Sequence, residues 1–338
     1  MKTRSVSENG GGLSIVTDDG NGTVFRLAPG AKGEWTFAVL YRFTGGSDGE
    51  GPVAGVVLDA AGNLYGTTTA GGDYGGGTVF ELIPGNDGEW TEKVLHSFGN
   101  GKDGEYPHAV ILDAAGNLYG TTCCGGPYGS SCSPNGYGCG IAFELSPVAN
   151  GKWKEKVLHN FNHNGKDGYN SAAGLIFDVV GNLYGTAQWG GARPKSCTIV
   201  DGCGIVFELS PSANGRWTEK VLHSFVDNGK DGAYPDGEVV FDSSGSLYGT
   251  TIFGGAYGSN CNCGGTVFKL APGNDGKWTE RVVHSFGNGK DGEFPQDSLI
   301  LDAAGNLYGV TSAGGSLGTG RSFYGQYGDD GTVFEITP

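Results

Sequence analysis

The side chains here with chemistry to offer recur at fixed places. His96, His159, His223 and His284 each stand at the same point of a VLHSF-like phrase. A DG phrase follows and supplies one aspartate per copy: Asp48, Asp103, Asp167, Asp231 and Asp291. Calcium needs several carboxylates or carbonyls converging on one point, and each of these loops has a single fixed Asp. The simpler expectation is an Asp whose carboxylate caps the amides of its own turn, with calcium held collectively by the five as the alternative. A histidine at one strand position in successive copies is expected to pack, a metal or catalytic role being the competing reading.

Other acids, Glu50, Glu105, Asp201, Asp236, Glu238, Glu293 and Asp297, lie in longer variable loops. Paired carboxyls there would suit a lyase, lactonase or glycosidase. No GxSxG elbow, phosphate-binding loop or HExxH helix occurs. All eight cysteines fall in three successive loops: Cys123, Cys124, Cys132 and Cys139; Cys197 and Cys203; Cys261 and Cys263. Even numbers in each loop predict disulfides that staple glycine-rich segments. Cys197 with Cys203 is the simplest pair. The four-cysteine loop allows three pairings, and a bond inside Cys261-Asn262-Cys263 closes so small a ring that a bridge between loops stays open. Zinc competes, but no CxxC knuckle is present.

Aromatic residues form a third set. Trp35, Trp90, Trp153, Trp217 and Trp278 recur in phase and are expected to wedge between sheets. Trp189 lies out of phase, in QWGGARPKS, and is expected to be the more exposed. Tyr74, Tyr128, Tyr137, Phe253, Tyr257, Phe323, Tyr324 and Tyr327 join it in the variable loops. Exposed rings on one side suit stacking against a sugar or an apolar partner, the alternative being that they cover their own glycine-rich loops.

The elements that position these groups come from repetition. GTVFEL or a close variant begins at Gly22, Gly77, Gly140, Gly204, Gly265 and Gly331. Within one copy, VVLD (56–59), the turn AAGN (60–63) and LYGTT (64–68) read as a hairpin, followed by a glycine-rich loop, GTVFEL (77–82), a PGNDGE turn and WTEKVLHSF (90–98). Four short strands rich in β-branched and aromatic residues make one antiparallel sheet. The 67 glycines sit at fixed places beside these strands, so the chain is turn-rich β structure and not a disordered tract. With 36 acidic against 21 basic residues and a net charge of -15, there is no cationic face for nucleic acid. No apolar run is long enough to span a bilayer, and the opening MKTRSVSENGGG lacks the apolar stretch of a signal peptide, as in a mature or trimmed form.

Repeated four-stranded units are best satisfied by a ring of blades. The expected fold is an all-β propeller of one domain, 1–338, with repeats at about 1–43, 44–98, 99–161, 162–225, 226–286 and 287–338. Six blades with the last lacking its outer strand is the preferred count; five blades closed by 35–43 is the alternative. The hairpin and its two longer strands resemble NHL-type blades, and VLHSFGNGKDGEYPHAVILDAAGNLYGTT (94–122) is similar to the GloVer tandem repeat of Gloeobacter and Verrucomicrobia. That resemblance implies an exported or surface-displayed propeller and no particular reaction. The function expected is a binding module for an extracellular carbohydrate or protein, acting through the long-loop side. A self-assembling structural subunit, associating through the C-terminal blade edge, and an acid-dependent enzyme are the alternatives.

Overall fold

The computed structural model describes residues 20–128, 132, 138–192, 197, 202–258, 263–289, 291–315 and 331–337, with the backbone of 12–16. Two compact units divide it, 1–161 and 162–338, and the boundary falls between two sequence repeats. Among the described residues, no helix is long and apolar enough to cross a membrane.

Unit 1 holds three sheets. The first is β1 (Gly12–Val16), β2 (Thr23–Pro29) and β3 (Trp35–Arg42); the second is β4 (Val57–Leu58), β5 (Leu64–Thr68), β6 (Thr78–Pro84) and β7 (Trp90–Ser97); the third is β8 (Glu105–Leu112), β9 (Leu118–Cys124), β10 (Ile141–Pro147) and β11 (Trp153–Asn160). All neighbours are antiparallel and in chain order. In unit 2, β12 (Gly168–Tyr169) pairs with β15 (Trp189–Gly190) beside a fourth sheet of β13 (Ile176–Phe177), β14 (Leu183–Ala187), β16 (Ile205–Pro211) and β17 (Trp217–Ser224). The fifth sheet is β18 (Gly232–Pro235), β19 (Val240–Phe241), β20 (Leu247–Gly254), β21 (Thr266–Pro272) and β22 (Trp278–Ser285), and the sixth β23 (Ile300–Leu301), β24 (Leu307–Thr311) and β25 (Thr332–Ile336).

Local chemistry explains each hairpin. Asp59 accepts from the amides of Ala61 and Asn63, at 2.8 and 2.9 Å, and from the Asn63 side chain and the Tyr65 hydroxyl. One carboxylate thus satisfies the turn and the strand that follows. Asp113 and Asp178 repeat the arrangement with Asn117 and Asn182. The Gly of LYG serves packing: a Cβ on Gly185 would stand 2.8 Å from the ring of Phe207, which lies across it. Phe80, Phe143, Phe207 and Phe268 are fully buried in this way. A bulge before each of these phenylalanines, as between Val79 and Phe80, turns the strand locally.

Neighbouring sheets are also latched by backbone. The residue two after each DG aspartate's glycine has a positive φ even where it is aromatic: 56° at Tyr106, 60° at Tyr234 and 59° at Phe294. That region is unfavourable for a bulky residue and persists only where its surroundings hold it. Here the amides of Tyr106, Tyr234 and Phe294 donate to the carbonyls of Gly76, Cys203 and Gly264 in the preceding repeat, each at 2.8 Å. In the first copy Gly51 takes this place and binds Asn21.

The two end sheets differ from the rest. Strand β3 is the outer strand of its own sheet, paired with β2 from Thr23 to Pro29 across a bulge between Val24 and Phe25. Strand β25 pairs with β24 and ends the sixth sheet among the described residues.

Candidate functional site

The DG aspartates are engaged within their own loops. Asp48 accepts from the Thr44 amide and hydroxyl at 2.8 and 2.7 Å and from the Tyr41 hydroxyl at 3.0 Å. Asp231 lies 3.0 Å from His223 Nε2 and accepts from the amides of Val226 and Gly232. Asp291 pairs with His284 at 3.1 Å, Asp103 with His96 at 3.4 Å, and Asp167 accepts from Asn162. The repeated histidines therefore do more than pack, since His223 and His284 each lie within hydrogen-bonding distance of a carboxylate.

A residue that sequence reasoning passed over completes the cluster. The Glu of each WTEK-like strand, two residues from Trp, comes beside the DG aspartate of its own repeat: Glu92 beside Asp48, Glu155 beside Asp103 and Glu280 beside Asp231. His223, Asp231 and Glu280 bring one ligand atom each to within 4.8 Å of one another. The signal was the alternation that puts this Glu on the face of the buried Leu opposite, as Glu280 faces Leu270. Burial, with Asp231 beside it, pushes Glu280 up to about 7, against a small opposing effect of His223. Burial does the same to Glu92, reinforced by Asp48, and to Glu155, opposed by His96 and reinforced by Asp103, each up to about 7. Their Oε1 atoms are buried without a hydrogen-bond partner. An imidazole with two carboxyls is a donor set for a transition-metal ion more than for calcium, and equally a place where a carboxyl and a carboxylate share a proton.

The loop aromatics divide. Tyr74, Tyr128 and Tyr257 are each about half exposed and occupy one equivalent position, GGxYG, after the LYG strand. Tyr74 sits on a turn closed by the Gly75 amide on the Gly72 carbonyl, and Tyr257 on the matching Gly258–Gly255 turn. Gly71 allows this loop to lie on the DG loop, since a Cβ there would come 2.7 Å from the Cα of Gly49. Trp189 is placed otherwise than expected. It is half-buried in β15, 5.6 Å from the Tyr169 ring and against the unit 2 core, whereas Trp35 is the more exposed. Phe253 is buried between Tyr234 and Phe294. Both stand where the second repeat has Ala70, on the strand extension beneath the DG loop, so their rings fill core. Trp153 and Trp278 are wedges against Tyr65 and Tyr184. Tyr137, Phe323, Tyr324 and Tyr327 lie outside the described residues.

Among the loop acids, Glu238 and Asp297 come together: burial pushes Glu238 up, and the Asp297 charge adds to it. Burial and Asp103 likewise raise Glu105. Asp236 accepts from Gln188 at 3.0 Å, Glu293 is buried, Glu50 is exposed, and Asp201 lies outside the described residues.

Disulfides join Cys132 to Cys139 and Cys197 to Cys203. Cys263 is also disulfide-bonded, and Cys261 lies outside the described residues. Cys123 and Cys124 are free thiols with sulfurs 3.0 Å apart, which corrects the expectation that all eight are bridged. They are adjacent residues at the end of β9. Alkylation of unreduced, denatured protein should therefore label Cys123 and Cys124, and a non-reducing peptide map should join 132 to 139 and 197 to 203. Labelling of Cys197 or Cys203 at full occupancy would contradict it.

A cavity of ≈ 420 Å³ opens along β25, where the sixth sheet has no outer strand among the described residues, with His284, Asp291 and Phe334 in its lining.

The profile of the Gloeobacter/Verrucomicrobia repeat matches residues 6–194 and 124–338. This chain belongs to that family. No curated protein sequence matches it. Among solved structures, it is similar to a protein from Lactobacillus plantarum, with 15% identity and TM-score 0.55 over 90% of this chain and 76% of that one. It also resembles a luciferin-regenerating enzyme, with 15% identity and TM-score 0.53 over 96% and 87%. An ancestral GH74 enzyme aligns with 12% identity and TM-score 0.55 over 90% of this chain and 39% of its own. At such identities the likeness concerns the fold, and Gloeobacter/Verrucomicrobia repeats are accordingly propeller-like blades.

Proposed function

We propose that this member of the Gloeobacter/Verrucomicrobia repeat family is a secreted or cell-surface propeller of six blade units that binds an extracellular carbohydrate or protein through the loops following its LYG strands. The supporting observation is the set Tyr74, Tyr128 and Tyr257, half-exposed at one position of the repeat and, for Tyr74 and Tyr257, carried on tight turns. A ring already held by its backbone loses little freedom on stacking, so it suits a sugar face. The disulfides fit an oxidising compartment. Glycan and polysaccharide binding, measured with and without calcium, tests the reading. Tyr74→Ala and Tyr257→Ala should each weaken a carbohydrate ligand about tenfold, the loss of one stacked ring, with unchanged melting. Undiminished binding in the variant lacking all three tyrosines would refute it.

A second reading rests on Glu238 and Asp297. A carboxyl raised by burial beside a second acid suits general acid catalysis, and the fold neighbours include a luciferin-regenerating enzyme and a GH74 enzyme. Release of product from a polysaccharide or lactone panel, abolished by Glu238→Gln, would favour it over the binding module.

A further inference from the structure

Within each unit, the outer strands of two consecutive sheets touch: β7 and β11 in unit 1, β17 and β22 in unit 2. A His of the first strand, the DG Asp of the loop that follows it and the Glu of the second strand meet there. They are His96, Asp103 and Glu155 in unit 1, and His223, Asp231 and Glu280 in unit 2.

The spacing suits one small cation. Donors bound to zinc at about 2.0 to 2.1 Å in a tetrahedron stand about 3.3 Å from one another. His223 Nε2 is 3.0 Å from Asp231 Oδ2, and His96 Nε2 is 3.4 Å from Asp103 Oδ2. The ligand atoms of His223, Asp231 and Glu280 all fall within 4.8 Å of one another.

These donors also lack protein partners. Glu280 Oε1 in unit 2, and His96 Nε2, Asp103 Oδ1 and Glu155 Oε1 in unit 1, are buried and make no hydrogen bond among the described residues. A buried polar atom without a partner carries a desolvation cost, and two neighbouring carboxylates add repulsion to it. A divalent cation removes both.

The ligands are held in place beforehand. Asp231 accepts from the amides of Val226 and Gly232 at 3.1 and 2.8 Å. The rings of His96 and His223 stand edge-on to Phe98 and Phe225, with centroids 4.5 and 4.7 Å apart. Outer contacts of this kind orient metal ligands. The two imidazoles are 21% and 20% exposed, which leaves an ion a way in from solvent.

The first copy supplies a contrast. Tyr41 stands opposite Val24 as His96 stands opposite Val79, and its hydroxyl donates to Asp48. Asp48 and Glu92 therefore have a phenol beside them in place of an imidazole.

We propose that His96, Asp103 and Glu155, and likewise His223, Asp231 and Glu280, each hold one divalent transition-metal ion, zinc being the best match, and that the ion ties the outer strands of consecutive sheets together. Calcium fits less well, since it takes six to eight oxygen ligands and no imidazole. The proposal does not rest on ligand binding by the loop tyrosines.

Zinc titration of untagged, chelator-stripped protein tests it, in a Cys123→Ser, Cys124→Ser parent that removes the free thiols as competing ligands. At the zinc concentration that saturates this parent, Glu155→Gln and Glu280→Gln should each lower the bound metal by one ion per chain, and Glu92→Gln should leave it unchanged, with circular dichroism confirming that the variants fold. In the parent itself, zinc should shift the imidazole NMR resonances of His96 and His223, a result that needs no variant. No uptake, or equal uptake in all four proteins with unshifted imidazoles, would overturn the proposal and mark any binding as adventitious to an acidic surface. Loss of an ion in Glu92→Gln as well would overturn the assignment to the imidazole-bearing clusters.

Discussion

Between about pH 5 and pH 8 the melting temperature of this protein should fall. Glu92, Glu155 and Glu280 are raised by burial to about 7, from an ordinary value of 4.5. A group whose folded pKa lies above its unfolded one binds more protons when folded. Its favourable contribution is full below about 4.5 and is lost as the pH rises through about 7. Above that, each interface holds a second carboxylate against Asp48, Asp103 or Asp231. Glu155→Gln and Glu280→Gln remove the ionisation and should flatten the decline, so that the double variant melts above the unaltered protein at pH 8. The hairpin aspartates set the other limb. Burial works against the ionised form of Asp59, Asp113 and Asp178, but the Asn63, Asn117 and Asn182 donors outweigh it and hold all three below the usual value. Their contribution is lost as the pH falls below about 4, which places maximal stability near pH 5. A melting temperature that climbs from pH 5 to pH 8 would contradict this account, and zinc that restores stability at pH 8 would show that an ion replaces the proton.

Phe207→Ala should cost about 3 to 5 kcal/mol in urea unfolding, the range for deleting a buried aromatic ring. The ring is fully buried and lies across Gly185, which has no side chain to extend into the space the ring would leave. Tyr128→Ala, by contrast, removes a half-exposed ring and should stay within about 0.5 kcal/mol, as surface substitutions do. Equal losses from the two would show that the exposed tyrosines are structural.

The repeat phrase made most of the fold legible. GTVFEL and WTEKVLHSF fall on paired strands because their alternation of apolar and polar residues matches the two faces of a sheet, as in Phe80 opposite Val94. The site was harder to see. Glu280 reaches Asp231 across 49 residues of chain, and nothing local in WTE distinguishes a buried carboxyl from a solvated one. Trp189 misled for the opposite reason: it is out of phase with the other tryptophans, yet in phase with Ala70 and Phe253, a position hidden beneath a loop. Phase relative to the right strand, not to residues of the same type, decided its burial.

The backbone latch at Tyr106, Tyr234 and Phe294 has a mechanical meaning. Each latch ties a repeat to the one before it through a residue held in a conformation it would abandon if released, so a repeat cut free loses the bond and relaxes the strained residue at once. Units joined in this way behave as a series of nearest-neighbour couplings. Pulled from an end, such a chain should give way in discrete steps of about one repeat.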